Sequence, residues 1–332
     1  MQAKAAVATR PGHVEFQNVS VPDPGPDDVV VDVRHSWISN GTEGSFVRGE
    51  RIAGDTPRAA GDPLPFPHVP GYQKVGIVAS VGANVDHVAI GDVVFATVSR
   101  IEGMFYDHAG HVSPAVTHRS QVWKLPPGLD PVAFSGLVLT QVGYNVAMRP
   151  SLVPGDRAVV IGDGMVGHWT AQTLRHRGAH VLLLGRHDAR LALFHCSPED
   201  RTVNVGREAA VDAVRDWAPG GAQVIADTVG SIETVESLYP AMRRESHISS
   251  AGFYGENGRI DIQKMRDREM TLHSPAGWTG ERMQATLELV ASGMLQTLPL
   301  ITHRFAADRA GEAFDLVLSR SEPVLGVILD WE

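Results

Sequence analysis

One glycine pattern in this 332-residue sequence carries a clear chemical implication. Gly162, Gly164 and Gly167 are spaced as Gly-x-Gly-x-x-Gly directly after an apolar run that favours a β-strand. A segment compatible with a helix follows at residues 168–177, and a second apolar run follows at residues 181–184. Glycines at this spacing between a strand and a helix are typical of a turn that binds the pyrophosphate of a dinucleotide.

Each glycine has its own physical task in such a turn. Gly162 permits the tight turn, Gly164 lets the backbone approach a phosphate, and Gly167 lets the helix pack against the strand. Met165 and Val166 lie between the last two glycines, where the first backbone N–H groups of the helix are free to bind phosphate. The alternative is a plain buried strand–helix–strand turn that holds no ligand.

The end of the second apolar run predicts which nicotinamide dinucleotide binds. Sites that prefer NAD place an acid there to accept a hydrogen bond from the ribose 2′-OH, but this chain has Gly185. Arg186 and Arg190 offer cations to a 2′-phosphate, and His187 lies in the same loop. Asp188 could partly restore NAD binding, and both arginines could be ordinary solvated residues. The sequence therefore predicts NADP(H) in preference to NAD(H).

Composition and charge exclude several classes of protein. A net charge of −9 without clustered Lys and Arg disfavours a nucleic-acid partner. No apolar run approaches the ~20 residues of a membrane span, and the N-terminus lacks the apolar stretch of a signal peptide. Cys196 is the only cysteine, which excludes an intramolecular disulfide and a zinc site built from several cysteines. We expect a cytoplasmic protein with a small-molecule substrate.

The elements that must position these residues change along the chain. Residues 1–125 contain short apolar runs separated by Gly, Pro and Asp turns, which is typical of an antiparallel, barrel-like module. From about residue 130, helical segments alternate with apolar runs, which predicts a doubly wound parallel sheet. The chain ends with predicted helices at residues 281–292 and 309–319 and a predicted strand at residues 324–329.

Several short motifs, in this order and spacing, resemble the medium-chain dehydrogenase/reductase, or alcohol-dehydrogenase-like, superfamily. They lie at residues 38–43, 70–76, 88–94, 154–156 and 300–305. The resemblance implies an α/β protein with a GroES-like, β-rich catalytic domain and a Rossmann nucleotide-binding domain. The catalytic domain would be discontinuous, at residues 1–139 and 275–332, and the Rossmann domain would comprise residues 140–274. The resemblance also implies a homodimer.

The same resemblance implies further cofactor contacts at two strand ends. Asp227 and Thr228 end one predicted strand, where the family's loop runs beside the adenosine and the nicotinamide ribose. Ala251, Gly252 and Phe253 end the next predicted strand, where backbone groups meet the nicotinamide carboxamide. Open α/β sheets bind ligands at such carboxyl ends.

Departures from the family pattern concern the metal. Zinc-dependent members have a metal-binding His in a Gly-His-Glu motif, and this chain has Tyr72 at that position. The first cysteine ligand falls near Ser39 and the third ligand near Val138. Zinc sites require Cys, His or carboxylate ligands, and catalytic sites use three of them. We therefore expect no zinc. The motifs at residues 41–43, 70–72, 251–254 and 328–331 resemble the zinc-free branch of the superfamily that contains bacteriochlorophyllide a dehydrogenase.

Without zinc, another group must polarise the substrate oxygen and supply a proton. The Tyr72 hydroxyl can do both, although the ring could equally be a packed aromatic that fills the vacated metal space. In the family, the residue matching Thr42 relays protons and the residue matching Glu43 supports the site; the alternative is that either caps the helix that follows. Ser39 is a further polar residue of the predicted catalytic set.

The leading functional prediction is a zinc-independent, NADP(H)-dependent oxidoreductase. It would interconvert an alcohol and a ketone or aldehyde on a small or ring-containing metabolite. One alternative is an NADPH-dependent reductase of activated C=C bonds, as in the enoyl and quinone reductases of the superfamily. A second alternative is a catalytically silent NADPH-binding protein with a regulatory role. The residues do not identify the substrate.

Overall fold

The computed structural model describes residues 1–255 and 258–331. Contacts within the chain divide it into two compact units, called here unit 1 and unit 2. Unit 1 comprises Met1–Val138, Met283–Ala291 and Gln296–Glu332, and unit 2 comprises Leu139–Arg282 and Ser292–Leu295. Residues 275–282, assigned above to the catalytic domain, cluster with unit 2, where the Gln141 amide donates a hydrogen bond to the Gly277 carbonyl.

The described strands and helices follow one another in two stretches of different character, β-rich and then mixed. The strands are, in chain order, β1 Gln2–Arg10, β2 His13–Ser20, β3 Asp28–Ile38, β4 Arg51–Ala53, β5 Thr56–Pro57, β6 Lys74–Val81, β7 Val93–Ala96, β8 Ser99–Arg100, β9 His108–Ala109, β10 Val112–Ser113, β11 Ala115–His118, β12 Val122–Lys124, β13 Arg157–Ile161, β14 His180–Gly185, β15 Arg201–Asn204, β16 Ala222–Asp227, β17 Met242–Ser250, β18 Thr271–His273, β19 Ile301–Ala306 and β20 Gly326–Asp330. The α-helices are α1 Thr42–Val47, α2 Leu137–Met148, α3 Met165–His176, α4 Asp188–Leu191, α5 Ala210–Trp217, α6 Ile232–Ser237, α7 Ile262–Arg266, α8 Gly280–Ala291 and α9 Ala310–Ser319.

Unit 1 is built on sheets whose strands are antiparallel except for the parallel pair of β19 and β20. Its largest sheet has the order β12-β7-β6-β3-β20-β19, with β11 also paired to β3, and a smaller sheet has the order β10-β1-β2. Buried valines of these strands form a shared core, and the consecutive Val29, Val30 and Val31 of β3 all belong to it. In this register Ser36 of β3 lies opposite both Lys74 of β6 and Leu329 of β20. The C-terminal strand β20 therefore completes a sheet that begins near the N-terminus.

Unit 2 contains one parallel sheet with the order β15-β14-β13-β16-β17-β18. Counted along the chain this order is 3-2-1-4-5-6, the arrangement of doubly wound dinucleotide-binding sheets. The central strands β13, β14 and β16 are buried along almost their whole length, because helices cover parallel sheets on both faces. The predicted fold class, a GroES-like β-rich part with a Rossmann-type sheet, is confirmed.

Local differences from the sequence predictions have simple causes. Helix α3 begins at Met165, three residues before the predicted start, because Gly164 is its N-cap. A short 3₁₀ turn at Leu298–Leu300 precedes β19, since Pro299 cannot donate to a sheet. Strand β15 was not predicted, because its sequence Arg-Thr-Val-Asn has no apolar run. In the described residues no helix is both long and apolar enough to cross a membrane.

Candidate active site and nucleotide site

The end of β3 and the start of α1 position most of the predicted catalytic residues. The Ser39 backbone N–H donates to Glu43 Oε1 at 2.8 Å, and the Glu43 N–H donates to the Ser39 carbonyl at 2.9 Å. This reciprocal pair fixes the turn that enters the helix. The Glu43 side chain thus bonds the turn before the helix and not a free N–H group of the helix itself, so it does not have the predicted capping role. Thr42 is the first helical residue, and no side chain caps this helix.

The second oxygen of Glu43 enters a buried polar chain that the sequence did not reveal. Glu43 Oε2 lies 2.7 Å from His111 Nε2, and His111 Nδ1 lies 2.8 Å from Ser36 Oγ. The Trp331 indole N–H donates to the same Ser36 oxygen at 2.9 Å. Glu43 is 1% exposed, and both His111 and Ser36 are fully buried. Burial requires that each of these polar groups be hydrogen-bonded within the protein.

The chemistry of these side chains fixes which atom donates in each hydrogen bond. An ionised Glu43 only accepts hydrogen bonds, so His111 Nε2 carries a proton and donates it to Oε2. In neutral His111 the Nδ1 atom is then an acceptor, and the Ser36 hydroxyl donates to it. Trp331 in turn donates to Ser36. Every group in this set of hydrogen bonds therefore has a partner.

Tyr72 lies against the predicted partners. Its hydroxyl hydrogen-bonds with the side chains of Ser39 and Thr42, and its ring is partly buried. Burial and the nearby Glu43 carboxylate raise the pKa of Tyr72 above its ordinary value, and these two hydrogen bonds only partly oppose the rise. The phenol therefore stays protonated at neutral pH and is available as a hydrogen-bond donor. The structure brings Tyr72, Ser39, Thr42 and Glu43 together.

A buried lysine adjoins this cluster in the sequence and was missed. Lys74 is fully buried on β6, and its ammonium donates to the carbonyls of Gly110 at 3.0 Å and Ala109 at 3.3 Å. Burial lowers the pKa of Lys74 to about 7. The signal that could have revealed it was a lysine within an otherwise apolar strand, since lysine is rarely buried unless it is paired.

The residues at the family's metal position do not suit zinc. Tyr72 replaces an imidazole ligand, and its hydroxyl is already bonded to Ser39 and Thr42. Both oxygens of Glu43 are engaged, one by a backbone N–H and one by His111. Residues 1–255 and 258–331 contain no group of three His, Cys, Asp or Glu side chains arranged to hold a metal ion.

In unit 2 the glycine turn has the shape that a pyrophosphate requires. Gly162 has φ +117°, a conformation that disfavours other residues, and a Cβ on Gly167 would stand 1.9 Å from the Gly162 carbonyl oxygen. A Cβ on Gly164 would meet nothing within 4 Å, so its backbone is open to a ligand. Gly164 is the N-cap of α3, Met165 and Val166 open the helix, and no side chain caps it. These features fit a dinucleotide phosphate.

Two family models match this chain, one in its N-terminal part and one in its C-terminal part. The model "Alcohol dehydrogenase GroES-like domain" matches residues 25–127, and the model "Zinc-binding dehydrogenase" matches residues 166–292. The chain belongs to the medium-chain dehydrogenase/reductase superfamily. Its members named below are dehydrogenases, and the chain is accordingly an oxidoreductase of this superfamily.

A curated superfamily relative extends the similarity over the whole chain. It is the 2-desacetyl-2-hydroxyethyl bacteriochlorophyllide A dehydrogenase of Rhodobacter capsulatus, which is 29% identical over 340 residues. The alignment covers 100% of this chain and 99% of that protein.

Solved superfamily structures share the fold. A structure from Sinorhizobium meliloti with NADP bound has a TM-score of 0.81 and 21% identity, and covers 99% of each chain. A protein from Escherichia coli described as a short chain alcohol dehydrogenase, solved with NADH, has a TM-score of 0.84 and 18% identity over 99% of each chain. At these identities the likeness establishes the fold, and the bound nucleotides are those of the other proteins.

The loops after β16 and β17, which are predicted to adjoin the cofactor, are held in place by hydrogen bonds within the protein. Asp227 is fully buried, and its carboxylate accepts hydrogen bonds from the N–H groups of Val229, Gly230 and Ser231 and from the Tyr254 hydroxyl. These donors use the carboxylate completely, so Asp227 shapes its loop. The predicted place of this loop beside the adenosine and the nicotinamide ribose stays a prediction.

Neighbouring predicted residues in these loops are likewise held by the protein itself. The Thr228 hydroxyl donates to the Ile161 carbonyl at 2.8 Å. The N–H groups of Ala251 and Gly252 both donate to the Asp227 carbonyl. A Cβ on Gly252 would stand 1.9 Å from the Gly230 nitrogen, so the two loops pack backbone against backbone. Phe253 follows directly, and its backbone closes over Gly230. A ligand could therefore contact only the outer surface of these two loops.

The end of β14 contains a residue that the sequence analysis overlooked. Gly185, Arg186, His187 and Arg190 lie together there, as predicted, but the carboxylate of Asp163 lies among them. Arg186 is exposed, whereas Arg190 Nη1 lies 3.5 Å from Asp163 Oδ1. The signal was available, since Asp163 is the residue between the first two glycines of the motif.

Proposed function

We propose that this protein is a zinc-independent, NADP(H)-dependent oxidoreductase that interconverts an alcohol and a ketone or aldehyde. One observation supports this proposal above the others. The Tyr72 hydroxyl stands in the sequence position of a zinc ligand and is hydrogen-bonded to the side chains of Ser39 and Thr42. A protonated, hydrogen-bonded phenol can perform the polarising task that zinc performs in other members of the superfamily.

The nicotinamide, when bound, supplies or accepts the hydride. The glycine turn of Gly162, Gly164 and Gly167 and the start of α3 would hold its phosphates. Gly185 and Arg186 would adjoin the 2′-phosphate, with the exposed guanidinium as its counter-ion. The NADP found in the Sinorhizobium meliloti structure supports this choice.

Residues of unit 1 would transfer the proton that the reaction requires. Tyr72 would donate a hydrogen bond to the substrate oxygen, and the proton on reduction. The hydroxyls of Thr42 and Ser39 would then return a proton to the phenolate, because both already bond to it. Glu43 and His111 would hold the turn in place and stabilise positive charge along this route. The raised pKa of Tyr72 keeps the phenol protonated before the reaction and makes a standing phenolate costly, so the proton lost to the substrate has to be returned by the neighbouring hydroxyls.

We propose a hydroxyl-bearing small or ring-containing metabolite as the substrate. The Rhodobacter capsulatus relative, whose name records a hydroxyethyl group on a bacteriochlorophyllide, supports a substrate of this class. The assay should compare a saturated ketone with a conjugated enone, because C=C reductases of the superfamily also work without zinc. Turnover of the enone alone would indicate a C=C reductase instead of an alcohol dehydrogenase. Binding of NADPH without turnover of either compound would indicate the regulatory alternative.

We also propose a cytoplasmic homodimer. Strand β18 ends the order of the parallel sheet and exposes Leu272 to 39%, so it offers an edge for association. Light scattering on the purified protein would test this, and a monomer at micromolar concentration would contradict it.

The variant Tyr72→Phe tests the chemical proposal, because it keeps the ring and removes only the hydroxyl. Turnover should fall by about 10²–10⁴-fold, the usual size of a lost general acid, while NADPH affinity is unchanged. Tyr239→Phe is a matched control, since the buried Tyr239 hydroxyl has no hydrogen-bond partner among residues 1–255 and 258–331. A Tyr72→Phe protein within a factor of two of the parent would assign Tyr72 to packing alone.

A further inference from the structure

The carboxylate of Asp163 is built into the strand end that contacts the adenosine ribose in doubly wound folds. Asp163 Oδ2 accepts the backbone N–H groups of Arg186 and His187, each at 2.8 Å. The His187 ring Nδ1 lies 2.9 Å from the same oxygen, and Arg190 approaches the other oxygen at 3.5 Å. Asp163 is 6% exposed. Three adjacent polar groups and one cation therefore organise around a single buried charge.

The glycine that ends β14 is explained by this carboxylate. A Cβ on Gly185 would stand 2.5 Å from Asp163 Cβ and 2.6 Å from its Oδ2. Any other residue at position 185 would displace the Asp163 side chain. The strand end therefore carries a negative charge although no acidic residue occupies position 185. The negative charge comes from the glycine turn, 22 positions earlier in the chain.

The charge persists at neutral pH. Burial raises the pKa of Asp163, but the hydrogen bonds from His187 and Arg186 outweigh burial and leave the pKa below its ordinary value. The carboxylate also occupies the two backbone N–H groups that would otherwise be available to phosphate oxygens. Arg190, one of the two arginines predicted to bind a 2′-phosphate, is partly neutralised by its contact with Asp163.

We propose that Asp163 is a specificity-determining residue for the nucleotide: its carboxylate opposes a 2′-phosphate and tolerates a 2′-hydroxyl, and so limits the preference for NADP(H). This inference rests on the proposed function, because it requires the nucleotide to lie at this strand end. Arg186 attracts a 2′-phosphate, whereas Asp163 repels it and draws Arg190 away. The protein should therefore bind both nucleotides, with a preference for NADPH that Asp163 keeps small.

Asp163→Asn tests the proposal, because the amide oxygen can still accept the backbone N–H groups while the charge is lost. Dissociation constants for NADPH and NADH would be measured by the fluorescence of the bound nicotinamide at fixed ionic strength. The ratio of NADPH affinity to NADH affinity should rise about tenfold, since one unit charge several ångströms from a phosphate is removed. Asp163→Ser, a smaller neutral residue that also favours turns, should change the ratio in the same direction.

Asp200 provides a matched control in the same unit. Its carboxylate is also buried, accepts the N–H groups of Val181 and Ser197, and contacts Arg175, but it lies at the opposite end of β14. Asp200→Asn should leave the affinity ratio unchanged. Unchanged ratios in both Asp163 variants, with both nucleotides still bound, would overturn the inference and leave the proposed function standing. If the parent protein binds neither nucleotide, both proposals fail together.

Discussion

Lys74 makes the stability of this protein depend on pH in a predictable way. The ammonium is fully buried, and its hydrogen bonds go to the carbonyls of Ala109 and Gly110. Burial lowers its pKa from 10.5 to about 7 in the folded protein, whereas the unfolded chain keeps the ordinary value. At about 1.4 kcal/mol for each tenfold change, this difference corresponds to roughly 5 kcal/mol.

The sign follows from proton binding. Between about pH 7 and 10.5 the unfolded chain carries a proton on Lys74 that the folded protein lacks. Raising the pH through this window therefore stabilises the fold, by up to about 1.4 kcal/mol per pH unit. Below about pH 7 the lysine is charged in both states, and the contribution is constant at its most unfavourable value.

Lys74→Met should abolish this slope while it keeps a long side chain in the sheet. The free energy of unfolding would be measured by urea titration at pH 7, 8 and 9, with tryptophan fluorescence as the signal. The wild-type protein should gain stability across this range relative to Lys74→Met. Lys124→Met, which removes an exposed lysine of the same sheet, is the control and should retain the wild-type slope. Parallel pH profiles for the wild type and Lys74→Met would refute the buried-charge argument.

The remaining predictions concern the two halves of the chemistry. Arg186→Ala should weaken NADPH binding by at least tenfold and NADH binding little, as measured by nicotinamide fluorescence; equal losses would contradict the 2′-phosphate contact. Chelators should leave activity and melting temperature unchanged, and stoichiometric zinc by elemental analysis, lost together with activity, would overturn the metal-free proposal. Glu43→Gln should lower turnover less than Tyr72→Phe does, and a larger loss would make Glu43 the principal proton-transfer group. His111→Ala should cost about 1–3 kcal/mol of unfolding free energy in urea titrations, because it leaves the buried Glu43 Oε2 and Ser36 Oγ without their hydrogen-bond partner; an unchanged free energy of unfolding would contradict this.

The sequence alone determined features that depend on local pattern. The spacing of Gly162, Gly164 and Gly167 after an apolar run specified a strand, a tight turn and a helix, because glycine conformation and hydrophobic periodicity are properties of neighbouring residues. The alternation of helices and apolar runs likewise specified a parallel sheet. The catalytic set around Tyr72 came from its place in a family motif, and the structure brings its members together.

Only the tertiary structure decided which distant residues meet. Glu43 and His111 are 68 positions apart, and their contact depends on strands folding over one another, which no local pattern encodes. The same holds for Lys74, whose burial depends on the sheet that surrounds it. Gly185 shows the limit most clearly. The sequence indicated a strand end without a negative charge, but the folded protein places the Asp163 carboxylate there. Electrostatic interactions depend on distance in space and not on separation along the chain.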